Sequence, residues 1–312
     1  MEAILLNILP LAVIVAIGYL AVRFDYVSAA ANDGISKFVF VIALPALIFR
    51  NVANSSINKN LEYVLDVLAS YYIGALIVLI LAIVISQFVL KTGKAEQNIL
   101  AVGASHSNMI LLGVPATLML LGPKLVLPVA MIVGLHGMLM AILLTVVLRV
   151  RSGKASELPS AIWGTVVNQA KNPIFIALVA GIIYDVTGAP RFPAEANEIL
   201  KTLGDATYAC SLFALGGMMI RYKFSGNGVE TSVVTVFKLV AFPVIVYLLA
   251  NKVFGLNSWA WAAAMLAAMP VGFNMHNMAS RSAKGAAIAS SAILVSTILA
   301  LVSAAALLYL KG

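Results

Sequence analysis

The chain has 312 residues, 62% of them hydrophobic and only 10% charged, with a mean hydropathy of +1.03. Soluble domains carry about 25% charged residues, so this composition excludes a water-soluble globular protein and points to a polytopic membrane protein. The net charge of +8 calls for no nucleic acid, because Lys and Arg accumulate in the cytoplasmic loops of membrane proteins, and the lone Cys210 excludes an intramolecular disulfide and a cysteine zinc site.

Ten apolar segments read as spans, at 4–22, 36–53, 64–90, 98–121, 125–148, 172–187, 199–220, 231–254, 258–280 and 286–310. The first is not a signal peptide, since no Lys or Arg precedes it and it runs on to Val22. The stretch Ser160 to Lys171 reads as a short interfacial helix, and the sixth span starts at Asn172-Pro173, where proline suits a first helical turn. Loop cations set the orientation. With the N-terminus outside, twelve Lys and Arg fall in inner loops and seven in outer ones, with Lys238 left inside the eighth span. Both termini are therefore expected outside a bacterial-type inner membrane.

The longest polar connection, 149–171, divides the chain into two halves of five spans, 1–148 and 172–312. An odd number of spans per half makes the halves inverted repeats. The fold class expected is all-α, with ten transmembrane helices in two inverted five-helix repeats. Leu44-Pro45-Ala46-Leu47-Ile48-Phe49 in span two has a weak counterpart in Ala209-Cys210-Ser211-Leu212-Phe213-Ala214 in span seven.

The fourth span of each half carries a flaw. Span four contains Ser105-His106-Ser107-Asn108 and then Gly113-Val114-Pro115; span nine contains Met269-Pro270-Val271-Gly272-Phe273-Asn274. Proline has no N–H and clashes with the preceding turn, while Gly113 frees the chain from helical angles. In lipid each freed backbone group costs several kcal/mol unless something satisfies it. Paired interrupted spans point to a secondary transporter's binding site. Read this way, the helix N-termini after Pro115 and Pro270 converge and present partial positive charge to an anion. Asn108 and Asn274 donate side-chain hydrogen bonds. The carbonyls ahead of the breaks, such as those of Leu111 and Leu266, are free to bind a cation.

Intramembrane ionisable groups are functional candidates by default. His106 and His276 flank the two breaks, and proton relay and a carbonyl-bonded structural role remain equally open for both. For His136, in span five, the structural role is favoured. Lys238 is expected to snorkel to the cytoplasmic face. Arg50 is read as an anchor near the outer face, and Gly216-Gly217 as a close helix contact.

At these residues the chain resembles the bacterial branch of the auxin efflux carrier family, which includes malonate transporters. The motifs are Leu44 to Phe49, Asn108 through Gly113-Val114-Pro115, Lys171-Asn172-Pro173, Leu215-Gly216-Gly217 and Met269-Pro270-Val271, and their order covers essentially the whole chain. The resemblance implies a bile-acid-symporter-like fold in a homodimer. Spans one, two, six and seven form a scaffold panel, and spans three to five and eight to ten a mobile core. It implies elevator-like alternating access, with a small organic anion such as a mono- or dicarboxylate bound between panel and crossing. Asn108, Pro115 and Pro270 match site positions, with Gly113, Gly272 and Asn274 beside them; Pro45, Cys210 and Ser211 line the panel side. The long hydrophilic central loop of plant auxin carriers is missing, so phosphorylation control of that loop is not expected. Sodium-coupled relatives place Glu and Gln ligands beside the ninth-span crossing, where this chain has none. Coupling to protons or uniport is therefore expected over sodium, with no cofactor or metal.

Two other classes were weighed. Ser105-His106-Ser107 does not make a protease, because helix neighbours do not face one another. A ligand sensor or a channel on the same fold is the alternative, since fold does not fix function.

Overall fold

In lipid every backbone N–H and C=O must find an internal partner, and a chain this apolar answers with helix. The computed structural model describes residues 2–188, 190, 192–279 and 283–312, excluding the side chains of residues 2–5, 274 and 277. Arg191 and Arg281, counted in the orientation, lie outside the described residues, as does the side chain of Asn274.

The helices are α1 (Glu2–Arg23), α2 (Ala29–Phe38), α3 (Leu44–Ala53), α4 (Leu61–Phe88), α5 (Lys94–Ser105), α6 (Val114–Leu121), α7 (Val126–Arg151) and α8 (Leu158–Gln169). They continue with α9 (Pro173–Val186), α10 (Ala194–Met219), α11 (Gly228–Val236), α12 (Phe242–Leu248), α13 (Ser258–Ala267), α14 (Asn274–Ala279) and α15 (Ala283–Lys311). Among the described residues six helical stretches are long and apolar enough to cross a membrane alone. Helix also covers the other four apolar segments, twice as two pieces across a break. The α8 helix meets α9 at 81°; Asn172 caps the turn by accepting from the Ile174 N–H at 2.9 Å.

Among the prolines inside helical stretches, three follow a widened turn. Five-residue π-helical turns, Val39–Ala43, Met109–Gly113 and Phe237–Ala241, come just before Pro45, Pro115 and Pro243. A wider turn makes room for the proline ring and reassigns the carbonyl that proline cannot serve. The N–H groups of Leu44, Val114 and Phe242 reach back five residues, to Val39, Met109 and Phe237.

The long helices place their small and polar residues on the packed face and leave many large aliphatic ones exposed. On α4 the packed face includes Ser70, Gly74, Ala75, Ala82 and Ser86, while Leu65, Ile73, Ile80 and Val84 are exposed. This is the pattern of a helix whose outer solvent is lipid.

Two groups of helices pack internally. In the first, α1 lies on α10, α3 on α9, and α2 and α3 on α10. In the second, α4 lies on α5, α7 and α12, α13 on α12, and α15 on α11, α13 and α14. The first group is tied by Asn32 Nδ2 donating to Ala214 O (3.0 Å) and Arg50 Nε donating to Asn197 Oδ1 (2.9 Å). Asp185 adds to it by accepting from the Ser56 and Ile57 N–H groups.

Gly18 and Gly216 let α1 and α10 meet backbone to backbone: a Cβ at Gly216 would overlap the Val15 carbonyl, and one at Gly18 the Phe213 carbonyl. Gly216→Val is therefore expected to lose about 1–3 kcal/mol through overpacking and to lower the melting temperature in detergent. Gly164→Ala, where an added Cβ meets nothing within 4 Å, should not lower it. Equal melting of Gly216→Val and the parent would refute the close approach.

Candidate functional site

The two interrupted helices satisfy each other. After α5 the chain turns extended at His106 (φ −92°, ψ 125°). It resumes helix at Met109 once Asn108 Oδ1 has accepted the Leu111 N–H at 3.3 Å. After α13 it runs non-helically from Ala268 to Phe273. The two extended pieces lie antiparallel, with Ser107 opposite Val271. Asn108 N–H donates to Pro270 O at 2.8 Å, and Gly272 N–H donates to His106 O at 3.0 Å. Gly272 permits the approach, since a Cβ there would lie 3.2 Å from Ser107 O. The Val271 N–H goes to Ser296 Oγ on α15 at 3.0 Å.

One expectation is corrected here. The break in span four falls at His106–Asn108, seven residues before Pro115, and Pro115 continues a helix that the π-helical turn has already adapted to it. Asn108 opens the second half as its cap. Pro270 does lie within its break.

Beneath the crossing sits Lys238, and it does not snorkel: it is wholly buried. Its ammonium donates to Ser107 Oγ at 2.8 Å and to the carbonyl of Ala267, the last residue of α13. It lies 4.6 Å from the centre of the Phe242 ring. Ser107 Oγ is also 3.0 Å from Tyr71 OH on α4. Helix rises about 1.5 Å per residue, so Lys238 stands ~15 Å above the start of α11, half the depth of a ~30 Å hydrocarbon core. The π-helical turn Phe237–Ala241 carries it, and the extra residue per turn aims the side chain inward.

On the other side of the crossing is a cavity of about 690 Å³. His106, Asn108 and Gly272 reach it from the crossing, His136 from α7, and Ser36 and Asn172 from the ends of α2 and α9. Lys37 and Gln169 also border it, and no carboxylate appears among its described lining residues. His106 and His136 stand with ring centres 5.8 Å apart. Among the described residues, His106 Nδ1 and both ring nitrogens of His136 are buried without a hydrogen-bond partner. The carbonyl partner expected for His136 is not there, and its ring faces Tyr71, Tyr72 and His106 instead. A cavity with amide and imidazole groups, a lysine at its edge and no acid is suited to an anion.

The remaining sequence candidates lie off this cavity. Gly113 packs against Leu266 and Met269, and Pro115 is buried in α6. Pro45 heads α3, and Ser211 Oγ donates to Tyr208 O at 3.3 Å. His276 meets Tyr222 edge-on at 5.8 Å between ring centres. Sequence reasoning overlooked Ser36, Gln169 and Asn172, each an ordinary polar residue near a helix end. Among the described residues no group of three His, Cys, Asp or Glu is placed to hold a metal ion.

Comparison with known proteins adds two findings. The family model described as membrane transport protein matches residues 3–308. A protein of Rhizobium meliloti (strain 1021) named "Putative malonate transporter" is 23% identical over 307 residues, which covers 97% of this chain and 94% of that protein.

The cavity's access is open to chemical test. In a Cys210→Ser background, Ser36→Cys and Gln169→Cys should react with a water-soluble maleimide. Thr117→Cys, at a wholly buried position off the cavity, should not. Protection of both cavity cysteines would show that the cavity is closed to water.

Proposed function

The chain belongs to the membrane transport protein family that includes the auxin efflux carriers, and from that premise we propose that it is a secondary transporter of small organic anions working by elevator-like alternating access. The observation that carries this reading is the position of the cavity. One wall is the crossing, with His106, Asn108 and Gly272; the other is Ser36, Phe40 and Met218. These walls belong to the two groups of helices, so a substrate held there sits between them, at the plane along which the proposed sliding takes place.

Several features support the ten-span inverted repeat behind the proposal. Exchanging the halves turns the α1–α10 contact into α9–α3, α4–α5 into α12–α13, and α4–α7 into α11–α15, and all six pairs pack together. Hydrogen bonds divide the same way. Among the described residues those of Asn32, Arg50 and Asp185 stay within the panel of spans one, two, six and seven. Those of Tyr71, Lys238 and Ser296 stay within the core. A smaller hollow of about 210 Å³ lies at the opposite end, between Leu47, Arg50 and Tyr208 of the panel and Leu118 and Val126 of the core. It is the natural outer counterpart of an open inner cavity.

In this reading Asn108 and Gly272 contact the substrate, and Gly113, Pro115, Pro270 and Asn274 shape the crossing. Pro45 and Ser211 line the panel along the sliding path. His106 carries the coupling proton, His136 joins it, and His276 acts from beyond the crossing. The setting is an inner membrane, with both termini outside and a homodimer as the unit. Mono- or dicarboxylates are the substrate class, malonate being the first to try on the strength of the relative's name.

Uptake of labelled malonate into proteoliposomes, competed by other organic acids and run with and without proton and sodium gradients, is the deciding experiment. Saturable, competed uptake is expected. Binding detected by thermal shift without uptake would replace the carrier with a ligand sensor; non-saturable flux would replace it with a channel. Asn108→Ala should lower kcat/KM at least about tenfold, equivalent to ~1.4 kcal/mol, while the protein still folds, because losing a helix cap costs only ~1 kcal/mol. Parent kinetics in that variant would remove Asn108 from the site. His106→Gln and His136→Gln are expected to change the pH dependence of uptake, because His is the side chain most readily recruited to carry a proton; an unaltered profile in both would take these histidines out of the coupling.

A further inference from the structure

We propose that Lys238 is a built-in substitute for a bound cation at the crossing, its side-chain nitrogen bonding both broken helices as an alkali ion between them would. The inference rests on reading the crossing as the centre of a carrier, and it adds the reason why such a carrier works without sodium.

The place itself asks for a cation. A helix end leaves carbonyls without intrahelical partners and a partial negative charge of about half a unit. The α13 helix ends at Ala267 beneath the crossing, buried in the protein interior, and that residue's carbonyl accepts from Lys238. Across the gap the other broken helix supplies the Ser107 hydroxyl at 2.8 Å. A carbonyl from one break and a hydroxyl from the other are hard oxygen donors of the kind that collect around a small cation. The Phe242 ring, 4.6 Å away, covers a further side of the ammonium, and aromatic faces attract cations.

The same geometry argues against Lys238 as a substrate ligand. An ammonium has three donors. Two are directed at Ser107 and Ala267, the Phe242 ring closes another side, and the residue is not among those lining the cavity. Among the described residues it forms no ion pair, so no carboxylate holds it in place. The ionisable groups around it are Tyr71, bonded to the same Ser107, and His106 and His136 on the cavity side. Lys238 is thus a positioning residue. It pins span eight to both broken spans and fixes Ser107, the residue next to Asn108.

Thermal unfolding of the purified full-length protein in detergent tests this without requiring a known substrate. The parent should melt at one temperature in sodium, potassium and choline chloride at equal ionic strength. Lys238→Ala should melt lower, and sodium or methylammonium chloride should raise its melting temperature relative to choline by filling the vacated space. Lys238→Met, which fills that space without charge, should melt lower than the parent and show no rescue. Lys238→Arg should retain more stability than either. Parent-like melting of Lys238→Met, or a parent protein stabilised by sodium over choline, would overturn the proposal. If neither uncharged variant can be purified, the parent's salt response and Lys238→Arg decide alone. Absence of saturable uptake across the panel of organic acids would overturn the carrier reading and leave these melting results standing.

Discussion

Two broken helices inside a membrane create a debt of unpaired backbone groups, and in this protein each break meets much of the other's. Asn108 N–H finds Pro270 O, and Gly272 N–H finds His106 O. Unsatisfied groups in hydrocarbon cost several kcal/mol each, so neither break is tolerable alone. The pairing forces spans four and nine to cross at their extended residues, and much else follows from it. Glycine stands where the strands touch, small residues line the flanks, and the helices around the crossing supply Ser296 for the Val271 N–H and Lys238 for the Ala267 carbonyl.

The prolines take a different part from the one their chemistry first suggests. Pro115 removes an N–H and pushes on the preceding turn, which made it the natural place for the break. Yet Pro45, Pro115 and Pro243 all follow π-helical turns, where the chain has already widened. Only Pro270 stands in an opened backbone. There, its lack of a donor is useful: its carbonyl serves the partner strand, and no N–H remains to be paired.

How much was legible follows from which signals survive without three-dimensional context. Long apolar runs announced the spans, and the paired interruptions, Asn108 to Pro115 in one half and Pro270 to Asn274 in the other, announced the crossing. Spans six and seven were the hardest cases. The α9 helix is short, and α10 carries Glu195, Glu198, Lys201 and Asp205 in its first turns, so neither is apolar enough over its length to stand alone as a span. The turn Asn172-Pro173 marked the start of the sixth. Lys238 was expected to snorkel because it lies only a few residues from the start of its apolar segment; the side chain instead turns inward to Ser107 and Ala267. A lone histidine on an apolar helix gives no sign of what faces it, and only the fold brings His106 within 5.8 Å of His136.

The distribution of polar bonds follows the two groups of helices. Ser107, Tyr71, Lys238, Ala267, Val271 and Ser296 bond to one another within the second group. Asn32 with Ala214, Arg50 with Asn197 and Asp185 with the Ser56–Ile57 turn bond within the first. Where α10 packs against Met109–Gly113 and α6, the surfaces include Leu111, Leu112, Ala116, Leu212 and Leu215. Apolar contacts have no fixed direction and re-form after a shift, whereas a buried hydrogen bond broken without a new partner costs about 1–3 kcal/mol. The directed bonds therefore lie within each group of helices, while the contact between α10 and the Met109–Leu121 segment is largely apolar and lines one flank of the anion-suited cavity.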